Sequence, residues 1–258
     1  MPNPTPRWMS AKALCALLLA ATVLCGIAAP ASAGIDEGYV AYLKGDFAAA
    51  LDEWRPLARA GNAEAANDIA YVLAQQGVNL VEALLNARLA IEKMPDNPAV
   101  LDTMGWVLFR LGRYADALPY LEAAEKLAPT DAEVVEHVGD AYWQSGRRID
   151  AQTRWRTAYT IADDDAAARL RRKLGGGYEP PTPGTLAGVV LDLIPGRLFT
   201  RAPVEIRTSP QPDAAAIGVM APGTAVTIVG VVRGKEWLAA EAGGIWGYVP
   251  AADLERTP

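Results

Sequence analysis

The stretch that decides the fold is GWVLFRLGRYADALPYLEAAEKLAP, residues 105–129. Moved forward by 34 positions, it meets itself. Gly105 falls on Gly139, Leu108 on Tyr142, Gly112 on Gly146, Ala117 on Ala151, Leu121 on Trp155 and Ala124 on Ala158. Moved backward by 34, Ala117, Ala124 and Pro129 fall on Ala83, Ala90 and Pro95. Ahead of the turn the backward shift is 35, which lays Gly105-Trp106-Val107-Leu108 on Ala70-Tyr71-Val72-Leu73 and Gly112 on Gly77. One extra residue in the turn between Gly77 and Ala83 accounts for the difference.

A period of this length with apolar residues at helical spacing specifies a two-helix unit. Small residues at Gly105 and Gly139 on the first helix, and at Ala117 and Ala151 on the second, let the two helices approach. Prolines after Met94 and Ala128 end the second helix, because proline cannot continue the hydrogen-bond ladder. The pattern resembles the tetratricopeptide repeat, whose small, Ala, Ala and Pro landmarks are matched by Gly105, Ala117, Ala124 and Pro129. The next unit has Gly139, Ala151 and Ala158, with Asp163 in place of the proline. The shorter unit ahead, YVAYLKGDFAAALDEWRPLARAGNAEAAND at residues 39–68, resembles the Sel-type variant of that repeat. About four helix pairs are expected, enough to bury a continuous core. A short capping helix should follow over 163–174. Its opening Asp163-Asp164-Asp165 and closing Arg171-Arg172-Lys173 suit the helix dipole, and the basic triplet reads as a solvated helix end.

Glycines at 175–177 and the run EPPTPG at 179–184 mark a domain boundary. The apolar run LAGVVLDLI, residues 186–194, is too short to span a membrane and is left without an assignment. Beyond it the sequence turns to short β-branched and aromatic strands between turn clusters, five strands in all, as in a small barrel. The segments VEIRTSPQPDAAAIGVM, PGTAVTIVG, EWLAA and GIWGYVPAADL resemble, in order, the landmarks of the bacterial SH3-like domain, except that Ala240 stands where a larger residue is usual. The resemblance implies a module that binds peptidoglycan, binds a peptide, or packs on a partner domain. The expected fold is therefore multidomain. An α-solenoid of tetratricopeptide-like helix pairs with its cap occupies 35–174. A linker over 175–197 joins it to a small all-β SH3-like barrel over 198–256.

The first 33 residues read as a secretory signal. Arg7 and Lys12 precede the apolar run 13–29, and Pro30-Ala31-Ser32-Ala33 supplies the small residues of a cleavage site. Cleavage near Ala33 would give an exported, periplasmic or secreted protein without a membrane span. Cys15 and Cys25 both lie in this segment, each preceded by leucine rather than the small residue of a lipoprotein site. The mature chain would hold no disulfide, thiolate metal site or thiol nucleophile. Its charge would be net −8, since removing Arg7 and Lys12 leaves 22 basic against 30 acidic residues. That balance argues against nucleic acid and anionic membranes as partners.

Nothing in the sequence assembles a catalytic, cofactor or metal site. His137 is the single histidine. It reads as a partly buried helix residue, because a general base needs a positioned partner. The glycines at 175–177 follow a helix and lack the Lys-Ser/Thr of a phosphate loop. Carboxylate pairs such as Asp52-Glu53 lie on solvated faces. Binding is the better reading. By resemblance to the tetratricopeptide family, the first helices line a concave groove carrying Asn67, Tyr71, Asp102, Trp106, Phe109, Arg110, Glu136, Asp140 and Trp143. Aromatics flanked by acids suit an apolar segment that is basic or neutral. The same rings also suit packing of the superhelix. On the barrel, Trp246 and Tyr248 share one side of a strand and form a candidate ligand face. The function expected is a non-catalytic interaction scaffold of the bacterial cell envelope. The alternative is a peptidoglycan-binding protein whose repeats recruit a wall enzyme.

Overall fold

The computed structural model describes residues 33–181, 191–192, 196–232, 236–243 and 245–256. The leader up to Ser32, and most of the apolar 186–194 run, lie outside the described residues. The helical part is built from α1 (Ala33–Leu43), α2 (Phe47–Arg59), α3 (Ala63–Gln76), α4 (Leu80–Lys93), α5 (Pro98–Arg110), α6 (Tyr114–Leu127), α7 (Ala132–Gln144), α8 (Arg148–Ile161) and α9 (Asp164–Arg172). Consecutive helices pack as antiparallel pairs, and first helices also touch the first helix of the next pair. This is an α-solenoid of helix pairs resembling tetratricopeptide repeats.

The periodic small residues explain the pairing. A Cβ added to Gly105 would lie 2.5 Å from Leu121 Cγ, and one added to Gly139 would lie 2.5 Å from Trp155 Cδ1. Each glycine is thus the notch that receives a fully buried side chain from the second helix of its own pair. Gly38 and Trp54 repeat the relationship in the first pair, with the same spacing of 16 positions. The turns are also local in origin. Gly112 and Gly146 hold φ of 73° and 80°, a left-handed conformation that closes a helix C-terminus at no steric cost to glycine. N-termini are capped by side chains: Asn62, Asn97, Asp131 and Asp163 each accept from backbone N–H groups of the first turn. The second helices α4 and α6 end at Lys93 and Leu127, ahead of Pro95 and Pro129.

The sheet is richer than the sequence suggests. Its strands are β1 (Leu191–Asp192), β2 (Gly196–Thr200), β3 (Val204–Arg207), β4 (Ala216–Met220), β5 (Ala225–Val232), β6 (Trp237–Ala242), β7 (Ile245–Pro250) and β8 (Leu254–Glu255). All pairings are antiparallel, in the order β4-β3-β7-β6-β5-β2-β8, with β1 added to β5. Part of the unassigned apolar run thus enters the sheet through Leu191↔Val232, so the sheet begins inside the stretch read as linker. Val204, Ile206, Val226, Ile228, Leu238 and Val249 form the sheet's own core. The opposite sides of β6 and β7 carry Ala239 and Tyr248, which join the core of the helical array. Helix α4 packs on β7, so the sheet rests on the second helices, away from the concave face.

Candidate functional site

The concave side is lined by α3, α5 and α7, and closed at its far end by α9 and the turn Lys173–Gly177. Its central element is an ion pair between neighbouring repeats. His137 Nδ1 lies 3.0 Å from both carboxylate oxygens of Asp102, and both side chains are buried. The imidazole also stacks on Trp106, with ring centroids 4.0 Å apart, and Trp106 in turn stacks on Phe109 at 4.7 Å. Burial opposes the imidazolium, but Asp102, Glu133 and Asp140 outweigh it and hold His137 protonated up to about 9. The positioned partner that the sequence could not name is therefore Asp102.

One repeat further on, the acids are answered by the cap. Arg169 grips Glu136 through Nε at 2.9 Å and Nη2 at 2.7 Å. Lys173 Nζ lies 2.7 Å from Glu136 and 2.6 Å from Asp140. Asp140 also accepts from Trp155 Nε1 at 2.9 Å. Burial would raise Glu136, yet Lys173 and Arg169 pull it down to about 2. Burial raises Asp140, which shares Lys173 with Glu136. Lys173 is thus not the solvated helix end expected of the basic triplet, whereas Arg171 and Arg172 are exposed. The cue lay in spacing. Asp102 to His137 is 35 positions, and Glu136 to Arg169 and Asp140 to Lys173 are each 33, so an acid on one first helix meets a cation about one repeat later.

The remaining groove residues sort themselves by contact. Arg110 reaches back one repeat and donates to the carbonyls of Ala74 and Gln75, the latter at 3.0 Å. It thereby satisfies the C-terminal end of α3. Gly77 beside it holds a left-handed φ of 68° that favours glycine, and a Cβ there would also displace the guanidinium. Asn67 is buried next to Asp68. Trp143 packs against Trp155 and Tyr178 at the closed end. Asn67, Tyr71, Asp102, Trp106, Phe109, Arg110, Glu136 and Asp140 are all buried. Most of the expected groove surface is therefore the seam between repeats.

What stays open is a cavity of about 370 Å³ bounded by Tyr71, Gln75, Trp106, Glu133, His137 and the segment from Arg169 to Pro181. Glu133, which sequence reasoning passed over, is central to it. It stands in the first turn of α7 and reaches across α5 to α3. Its Oε1 accepts from Tyr71 Oη at 2.8 Å and Gln75 Nε2 at 3.2 Å, while His137 Nε2 lies 3.9 Å away. Burial raises this carboxyl to about 7, against the pull of His137. The bonds join helices 58 and 62 residues apart in sequence, a separation no periodic pattern signals.

On the sheet, Tyr248 is 1% exposed and belongs to the packing against the repeats, with Trp246 beside it. Trp246 lines two clefts between the modules together with Arg55, Arg59 and Glu82. Inside one cleft wall, Arg55 holds the buried Glu82 in a bidentate ion pair at 2.7 and 3.0 Å. The candidate ligand face is thus turned toward α2 and α4 rather than outward. Among the described residues, no group of three His, Cys, Asp or Glu side chains is placed to hold a metal, and no helix is long and apolar enough to cross a membrane.

A tetratricopeptide-repeat family model matches residues 98–131, the α5–α6 unit through the N-cap of α7. A TPR repeat-containing protein of Pseudomonas aeruginosa is 42% identical over 79 residues, which is 31% of this chain and 13% of that protein. The chain therefore spans only a small part of that relative's length. Among solved structures, MamA from Desulfovibrio magneticus RS-1 is 22% identical with a TM-score of 0.47, covering 57% of this chain and 82% of that one. Another MamA crystal structure is 18% identical with a TM-score of 0.45, covering 55% and 82%. The first TPR domain of human RPAP3 is 19% identical with a TM-score of 0.39, covering 45% and 91%.

Proposed function

We propose that this chain is an exported, non-catalytic adaptor of the bacterial cell envelope. Its repeats take a partner's segment on the concave side, and its sheet module adds a second contact. The observation that carries this reading is the open cavity bounded by the first helices of three successive pairs. There, accessible polar groups of Gln75 and Glu133 stand beside Tyr71 and Trp106. A leader-like 1–33 segment supports the exported state. Sheet packing against the second helices supports a module that braces the array while leaving the concave side free.

The test is comparative capture from envelope extract with wild type and Gln75→Trp, a substitution at a half-buried position that fills the cavity and leaves both members of the His137–Asp102 pair in place. Loss of a defined set of captured proteins is expected. Identical sets would remove the groove from the account. Pelleting of the full chain with purified sacculi would instead favour the peptidoglycan-binding alternative.

A further inference from the structure

We propose that Glu133 is a receptor for one cationic side chain, lysine or arginine, of the segment bound in the cavity. The inference rests on the adaptor reading and names what that site selects. Three observations support it.

The first is how the carboxylate is held. Tyr71 and Gln75 both donate to Oε1, and His137 Nε2 approaches that same oxygen. Among the described residues Oε2 receives no hydrogen bond, and the side chain remains 20% exposed toward the cavity. One oxygen fixes the group in place and the other is left to accept.

The second is that the buried charges of the groove are spent, while Arg172 and Glu179, one of each sign, stand exposed among its lining residues. Asp102 faces His137, and Glu136 and Asp140 face Arg169 and Lys173. Arg110 is committed to two backbone carbonyls. An entering anion would find those cations already paired and would meet the carboxylate of Glu133. An entering cation meets an acceptor held by two neutral donors, with the rings of Tyr71 and Trp106 alongside for its methylenes.

The third is electrostatic. The groups facing Glu133 are Tyr42 on α1, Tyr71 on α3, Asp102 on α5, Asp131 and His137 on α7, and Arg169 on α9. Burial with Asp102 and Asp131 outweighs His137 and raises the carboxyl to about 7. A bound cation at Oε2 would add to the counter-charge of His137, which burial and the neighbouring acids outweigh, so binding should expel a proton near neutral pH and weaken in acid.

The test uses the full chain and three probes, the Nα-acetyl amides of lysine, arginine and norleucine, titrated at pH 8 and pH 5.5. The readout is the Trp106 indole N–H signal in an NMR spectrum. Lysine or arginine amide should give saturable shifts at pH 8, weaker by several-fold at pH 5.5, with norleucine amide giving none. Glu133→Gln, which keeps the Oε1 acceptor, should weaken the pH 8 affinity about tenfold or more and abolish its pH dependence. Glu133→Asp, which keeps the charge, should retain part of the affinity. Unchanged affinity in Glu133→Gln, equal shifts with norleucine amide, or no saturable shift with any probe overturns the proposal. If capture from extract still depends on Gln75 in that event, the adaptor reading stands and only the cation receptor falls.

Discussion

The Nδ1 atom of His137 sits 3.0 Å from each carboxylate oxygen of Asp102, a buried ion pair that joins α5 to α7 across the boundary between repeats. Neither group has water to fall back on, so each is costly without the other. Removing one partner of such a pair typically costs about 3–5 kcal/mol, while replacing both by apolar residues costs far less. Asp102→Ala should therefore destabilise the chain by about 3 kcal/mol or more in urea unfolding. The double variant Asp102→Leu/His137→Leu should recover much of that loss. A double variant less stable than Asp102→Ala would show that the pair is not what holds this seam.

The same pair gives stability a defined pH dependence. His137 titrates near 6.5 when unfolded and near 9 when folded. A raised folded value means a contribution fully present below pH 6.5 and lost as pH rises through 9. Its size is of the order of 3 kcal/mol. Glu133, raised from 4.5 to about 7, adds a loss in the same direction between those values. Glu136, depressed to about 2, contributes stability that is present above pH 4.5 and lost below it. The urea midpoint should peak near pH 4.5 and fall towards pH 9, and Asp102→Asn should flatten the alkaline limb. A midpoint constant from pH 6.5 to 9 in wild type would contradict the assignment.

How much of this was legible follows from distance along the chain. The notch formed by Gly105 for Leu121, and by Gly139 for Trp155, is local and repeats, so it left a periodic mark. The groove acids were visible, but their cations were not assigned to them. Lys173 sits in a basic triplet that suits a helix end equally well, and only the 33-residue offset to Asp140 distinguishes it. Glu133 carries no periodic mark, since its partners Tyr71 and Gln75 lie two repeats back. Alternation along β7 put Trp246 and Tyr248 on one side, but alternation cannot say what covers that side. Helix α4 does, and nothing in the two segments announces the match.

The notch itself makes a sharp prediction. Gly139→Ala places a methyl group 2.5 Å from Trp155 Cδ1 and 3.2 Å from the Ala151 carbonyl oxygen, so the indole or the helix has to move. Overpacking of this kind costs about 1–3 kcal/mol. Thermal unfolding should show the loss. An unchanged midpoint in Gly139→Ala would mean that the helices are not locked at this contact.

The sheet and the repeats should be energetically linked through Tyr248. Tyr248→Ala opens a void between β7 and the repeats, at a cost of about 3 kcal/mol as for other large aromatic truncations. Hydrogen exchange followed by mass spectrometry should speed up in α4 as well as in the sheet. Faster exchange confined to the sheet would show that the two modules are stable independently.

The central claim is that a partner's segment lies on the concave side. A photo-crosslinking amino acid placed at Gln75, within the cavity, tests it against the same group at Ile149, which is 81% exposed on a second helix. After irradiation in envelope extract, a discrete adduct is predicted from position 75 and none from position 149. Adducts of equal yield from both, or from position 149 alone, would contradict the account.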